Sequence, residues 1–358
     1  MNKQLLKDEM TPKERMEAMI SGKSFDRVPC NISIGDHAAN LIGAKVSELH
    51  FFSDKVVEGQ IASNEKYGIE SSWVGPGLGG IAEALGSKLI FPDHGAPYVS
   101  EFAIKNDEDL EKLSVANPKN AGRFPFVLES AEKLSNIFGK EIPVTIEIPG
   151  PFTSAGNLRG VEKLLRDSIK NPYYVHKVLR LVTDTTIAFI KEAAKIDVNI
   201  GIADPSSSGT LISKNMFEQF ALPYLIEIVA IIKALRKDSP YLHICGNTKK
   251  IWNLMADTGV GSLSIDDVVD LEEAKNIVGK RVVLIGNVKP TATMYLGTPQ
   301  DVEKDAKECL RKAYNTPKGY VLALGCGFPI DTPPENIIAL RDTARKYGKY
   351  PYKPELFS

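Results

Sequence analysis

Beyond residue 26 the chain alternates short β-branched apolar runs with longer stretches in which apolar residues recur every three or four positions. This is the pattern of parallel strands joined by helical crossovers: a strand covered on both faces reads as a continuous apolar run, and its covering helix shows one apolar stripe. Eight such runs stand at 28–33, 71–74, 144–148, 198–203, 241–245, 262–265, 282–286 and 320–324. Helices are expected at 174–195, 214–235, 251–258, 271–278, 301–313 and 334–347. Thr298-Pro-Gln-Asp301 and Thr332-Pro-Pro-Glu335 each offer a hydroxyl N-cap, a first-turn proline and an early carboxylate, all of which favour a helix start. Thr11-Pro-Lys-Glu14 opens another helix, through Ile20, with a capping box. Eight strand and helix units predict an α/β fold, a (β/α)8 TIM barrel with an N-terminal helical extension at 1–25. We read 1–358 as a single domain, with an insertion near 75–125 taking up part of the length beyond the roughly 250 residues usual for this barrel.

The 358 residues are 43% apolar and 25% charged, which suits a globular protein with a well-buried core. Lys plus Arg (44) balances Asp plus Glu (45), so no net field favours nucleic acid or an anionic membrane. The longest apolar stretches, such as 228–232, stop at Lys233, far short of the roughly 20 residues that span a bilayer. Residues 1–10 mix charges with apolar residues and lack the apolar core of a signal peptide. Four cysteines in a chain of this length make no disulfide framework and suit a reducing cytoplasm, the expected location.

In such a barrel, functional residues sit at the C-terminal ends of the strands. His243 and Cys245 end the fifth run, two residues apart and therefore on one side of the strand. Cys326 follows the eighth run, between Gly325 and Gly327. One imidazole and two thiolates can hold a zinc ion with a fourth position open to water or substrate, a catalytic rather than a structural arrangement. Taken singly, the cysteines read equally as inert packing residues. Asp36, His37, Asp204, Asp266, Asp267 and Asn287 fall at other strand ends. Asp204 is open to three roles: orienting a ligand, anchoring a substrate, or capping the next turn. Asp266 is the pocket candidate of its pair, and Asp267 the cap. His50, His94 and His176 are expected to be solvated, and Cys30 and Cys309 to be packing residues. Gly75-x-Gly77-x-x-Gly80, with Asp93 downstream, has the spacing of a dinucleotide fingerprint. Pro76 in the turn, a short following helix and no second mononucleotide-binding half make it a mouth loop instead.

Several segments together resemble the uroporphyrinogen decarboxylase superfamily, in its branch of cobalamin-dependent, zinc-containing methyltransferases such as the methylcobamide:coenzyme M methyltransferases. They are Pro149-Gly-Pro-Phe-Thr153, Ile202-Ala-Asp-Pro205, Phe217-Glu-Gln-Phe220, Leu242-His-Ile-Cys-Gly-Asn247, Leu263-Ser-Ile-Asp266, Leu284-Ile-Gly-Asn-Val288, Gly325-Cys-Gly327 and Thr332-Pro-Pro-Glu-Asn336. The specific part is His-x-Cys with the late Gly-Cys-Gly, the zinc motif of that branch. The resemblance implies a (β/α)8 barrel and zinc ligands His243, Cys245 and Cys326. It also implies a corrinoid (methylcobamide) on a separate corrinoid protein as methyl donor, and a small thiol such as coenzyme M as acceptor. Asp204 and Asp266 are the expected catalytic supports, as acceptors for the second nitrogen of His243. Pro149, where relatives can carry Glu, leaves a fourth carboxylate ligand unassigned. The loop 31–40 lacks the Arg-Gln-Ala-Gly-Arg of a porphyrinogen decarboxylase, which counts against decarboxylation. The remaining alternatives are transfer from a methylated small molecule to the corrinoid protein, and a non-catalytic zinc barrel that only binds that protein.

Overall fold

A computed structural model describes residues 8–236, 238–327 and 329–357. The first seven residues of the N-terminal extension, and Phe328 after the Gly-Cys-Gly motif, lie outside the described residues. The eight expected strands all form: β1 Cys30–Asn31, β2 Ser72–Val74, β3 Val144–Pro149, β4 Asn199–Ala203, β5 Tyr241–His243, β6 Ser262–Ser264, β7 Val283–Val288 and β8 Tyr320–Leu324. They make one parallel sheet in the order β1-β8-β7-β6-β5-β4-β3-β2, curled into a (β/α)8 barrel and wrapped by helices. Between β1 and β2 side chains take the place of a backbone ladder. The Ser71 hydroxyl donates to Asn31 Oδ1, and the Cys30 amide donates to Glu70 Oε2 at 3.1 Å. Among the described residues no helix is long and apolar enough to cross a membrane.

The N-terminal helix, α1 (Pro12–Ile20), begins at the expected Thr11–Glu14 capping box. Its Met19 packs on Val283 and Val321, with Met16, Phe25 and Ile285 around them, at the N-terminal end of the lumen. Arg15, on the same helix, is fully buried and bonds to Asp26 (2.7 Å) and Glu70 (2.9 Å). Arg27 joins Asp8 (2.6 Å) and Glu70 (2.6 Å), and Arg345 joins Asp8 (2.9 Å). The floor is thus an apolar plug ringed by guanidinium–carboxylate pairs.

Two local expectations need correction. The helix expected at 214–235 divides into Lys214–Phe220 and Leu222–Arg236. Pro223 explains the break: it has no N–H to continue the ladder, and its ring would strike the carbonyl four residues back. Thr332 does not cap the last helix, Pro334–Tyr347. Its hydroxyl donates to the Pro329 carbonyl at 2.7 Å, and Pro333 takes the cap position. The segment between β2 and β3 holds an antiparallel hairpin, Lys88–Ile90 with Tyr98–Glu101, followed by the amphipathic helix Phe124–Phe138. Helix Gly80–Ala84, after the Gly75-x-Gly77-x-x-Gly80 run, has five residues. Gly75 is pressed against the Glu147 carbonyl, where any Cβ would clash, so this glycine serves close packing.

Candidate metal centre

The barrel brings His243, Cys245 and Cys326 together. One ligand atom from each lies within 4.8 Å of the others. His243 Nε2 is 3.2 Å from Cys245 Sγ, and the two sulfurs are 3.6 Å apart. Tetrahedral zinc, with Zn–S near 2.3 Å and Zn–N near 2.05 Å, would set these separations at about 3.6 and 3.8 Å. The donor set therefore fits zinc with shifts of a few tenths of an ångström. Cys245 and Cys326 are part-exposed, and Gly327 has no heavy atom near its Cβ direction, so the cluster is reachable from the mouth.

Strand register sets the imidazole. His243 on β5 pairs with Ser264 on β6, and Nδ1 lies 3.0 Å from Ser264 Oγ. A proton on Nδ1, donated to that hydroxyl, leaves Nε2 free as a ligand. The partner of His243 is therefore Ser264, and not Asp204 or Asp266. Both carboxylates are already engaged: Asp266 Oδ2 accepts from the Gly246 amide (2.7 Å) and Oδ1 from the Val268 amide (3.0 Å). Gly246 has φ +76°, and a Cβ there would stand 2.6 Å from Thr210 Oγ1, so the turn after Cys245 requires glycine. Asp266 thus fixes the turn that presents Cys245. Asp204 has no exposed surface and accepts from the Thr153 amide at 2.7 Å, under the start of helix Pro151–Arg159. Burial raises its pKa, against the hydrogen bonds from Thr153.

Hydrogen bonds from Cys245 and His243 lower the Cys326 pKa, whereas the bond to Cys326 and burial raise that of Cys245. Burial disfavours a charged His243, but the Cys326 thiolate outweighs it and raises the imidazole pKa.

Of the other residues the sequence placed at the mouth, His37 is a packing residue: Nδ1 meets the Ile330 carbonyl (2.6 Å) and Nε2 the Tyr67 hydroxyl (2.8 Å). His50 is not solvated. It lies 3.5 Å from Asp36 and against the Phe91 ring, and burial lowers its pKa to about 4 while raising that of Asp36 to about 6. Asn287 holds the Asp266 and Val269 carbonyls, at 3.1 and 2.9 Å. Sequence reasoning passed over Ser264, Tyr241 and Glu147. Their signal was the alternation within the strands. In Val144-Thr-Ile-Glu-Ile148 every second residue is polar and must face the lumen, away from the helical shell.

The chain is similar to known methyltransferases over most of its length. A methylcobamide:CoM methyltransferase MtbA of Methanosarcina acetivorans is 31% identical over 346 residues, spanning 95% of this chain and 99% of that protein. A methylated-thiol–coenzyme M methyltransferase of Methanosarcina mazei is 29% identical over 92% of this chain and 88% of that protein. A solved methyltransferase from Methanosarcina mazei superposes with a TM-score of 0.85 at 28% identity, covering 94% of this chain and 98% of that one. Residues 11–347 match the uroporphyrinogen decarboxylase (URO-D) family, and the chain belongs to that family.

Proposed function

We propose that the protein is a zinc-dependent methyltransferase that moves a methyl group from a methylcobamide, carried by a corrinoid protein, to a small thiol. The observation that carries this reading is the convergence of one imidazole and two sulfurs at the mouth of the barrel, reachable from solvent. Zinc held there would supply a Lewis acid that favours the thiolate form of an incoming thiol near neutral pH. His243, held by Ser264, and the two cysteines would bind that ion and leave one side for the substrate. Asp266 keeps the Cys245 turn in place, and Asp204 secures the start of helix Pro151–Arg159; we assign both to positioning. In the overall transfer a sulfur–carbon bond forms and the cobalt–carbon bond breaks. The electron pair of the broken bond stays on cobalt, and the thiol proton leaves to solvent. The name of the Methanosarcina acetivorans relative, which joins methylcobamide to CoM, supports the same donor and acceptor classes.

Zinc K-edge absorption, with metal content measured on the same sample before and after adding a small thiol, tests the reading. The expected result is one zinc per chain and a new sulfur neighbour at about 2.3 Å. Protein that retains no zinc would overturn it. Bound zinc that ignores thiols, with methyl-cobalamin demethylation independent of thiol, would shift the assignment to transfer onto the corrinoid.

A further inference from the structure

Further into the lumen lies a carboxylate that the proposed chemistry leaves unused. Glu147 and Thr145 occupy the lumen side of β3, while Val144, Ile146 and Ile148 pack into the helical shell. The Tyr241 hydroxyl donates to Glu147 Oε2. The Tyr241 ring fills the space over Gly201, where a Cβ would stand 2.2 Å from Tyr241 Cε1, so a larger residue at 201 would push the phenol off the carboxylate. Glu147 Oε1 has no hydrogen-bond partner among the described residues, and the residue is part-exposed. Asp266, by contrast, uses both oxygens on backbone amides. The charges of both carboxylates act on His243 and Cys245. Two loop cations beyond the strand ends point elsewhere, Lys249 to Glu273 (2.7 Å) and Lys289 to Asp305 (3.1 Å).

A thiol bound at the cluster would therefore have the free Glu147 oxygen on its deeper side, and no lysine or arginine pairs with Glu147 among the described residues. Tyr241 precedes His243 by two residues on β5, about 7 Å along the strand. A two- or three-carbon thiol, with a metal–sulfur bond of about 2.3 Å and a terminal hydrogen bond of about 2.8 Å, is longer than that two-residue advance down the lumen. We infer that the acceptor is an aminothiol whose ammonium group sits on Glu147 Oε1, and that Glu147 is the residue selecting against acceptors that end in a sulfonate or carboxylate. Coenzyme M, the acceptor in the names of the relatives, ends in a sulfonate, so the chain would differ from them in this one respect. The inference rests on the zinc–thiol reading above.

The test uses the full chain loaded with Co2+ in place of zinc. Three two-carbon thiols, 2-aminoethanethiol, 2-mercaptoethanol and 2-mercaptoethanesulfonate, are titrated while the sulfur-to-cobalt charge-transfer band is followed. The aminothiol is expected to bind ten- to a hundredfold, in order of magnitude, more tightly than the sulfonate at low ionic strength, the gap narrowing with salt. Glu147→Gln, which keeps an acceptor for Tyr241, should reduce the gap to about threefold or less, because the point charge is gone. A sulfonate that binds wild-type protein as well as the aminothiol overturns the inference and leaves the thiol reading standing. An undiminished gap in folded Glu147→Gln overturns the assignment to Glu147. No band with any of the three overturns the zinc–thiol reading and the inference together.

Discussion

The two ends of the barrel treat their carboxylates in opposite ways. At the floor, Asp8, Asp26 and Glu70 each meet a guanidinium from Arg15, Arg27 or Arg345. Burial alone would raise Asp8, but Arg27 and Arg345 outweigh it and hold its pKa at about 2. Asp26 is likewise lowered against burial, by Arg15. At the mouth, Asp36, Asp204, Asp266 and Asp267, and deeper in the lumen Glu147, have no arginine or lysine partner among the described residues, although Glu83 pairs with Arg123 and Asp305 with Lys289. Burial raises Asp36 and Asp204, and burial together with Asp266 raises Asp267. The floor is built to be stable in one charge state. The mouth leaves its carboxylates without cationic partners, so burial pushes Asp36, Asp204 and Asp267 toward the neutral form.

Variants at the mouth should cost metal and not fold, and variants at the floor the reverse. The largest effect is expected from Cys245→Ser with Cys326→Ser. Zinc affinity should fall by more than about a hundredfold, beyond the loss typical of a residue that merely supports a ligand. Circular dichroism should show an intact barrel. A double variant that still copurifies with one zinc would remove the metal centre from the argument.

Arg15→Met probes the opposite end. It strips a fully buried guanidinium from Asp26 and Glu70 and should cost about 3 kcal/mol in urea unfolding, since the buried Asp26 loses its guanidinium partner while Glu70 keeps Arg27. Zinc content of the folded fraction should not change. Loss of metal at unchanged stability would mean that floor and mouth are coupled, and would break the comparison.

Ser264→Ala sharpens it further. The variant removes the hydroxyl that lies 3.0 Å from His243 Nδ1 and should weaken zinc binding about tenfold with little change in stability. That role shows where sequence reading stops. The eight strands were legible because β-branched runs recur between amphipathic segments, and the three ligands because they end two of those runs. Ser264 was not, since only the β5–β6 register puts it opposite His243. The Tyr241–Glu147 bond was hidden for the same reason: it crosses the lumen over Gly201, and no local pattern records which residues face each other there. Helix Ser53–Tyr67 escaped notice because its stripe includes Gly59, Gln60 and Ser63, small or polar residues that are nonetheless buried.

The smallest effect separates the two ends by pH. Asp36 has its pKa raised to about 6, so over roughly pH 4–6 the folded state binds more protons than the unfolded one, and this residue adds stability as pH falls. His50, lowered to about 4 by burial and by Arg123, does the opposite: the unfolded state binds the extra proton from about pH 6.5 down to 4, and stability is lost as pH falls. In the wild type these two contributions largely cancel. Asp8, whose pKa is lowered to about 2, contributes stability that is complete above about pH 4 and is lost only below that, as the floor carboxylate is protonated. Asp36→Asn should therefore raise stability at pH 7 by about 1 kcal/mol, the burial cost of an ionised carboxylate discounted for its part-exposed side chain. It should also uncover a loss of up to about 1.4 kcal/mol per pH unit between pH 6 and 4, as His50 titrates without its counterweight. Urea midpoints of wild type and variant at pH 7, 5 and 3 measure both. Parallel curves from pH 7 to 5 would show that Asp36 and His50 are not the buried acid and base that set the mouth apart from the floor.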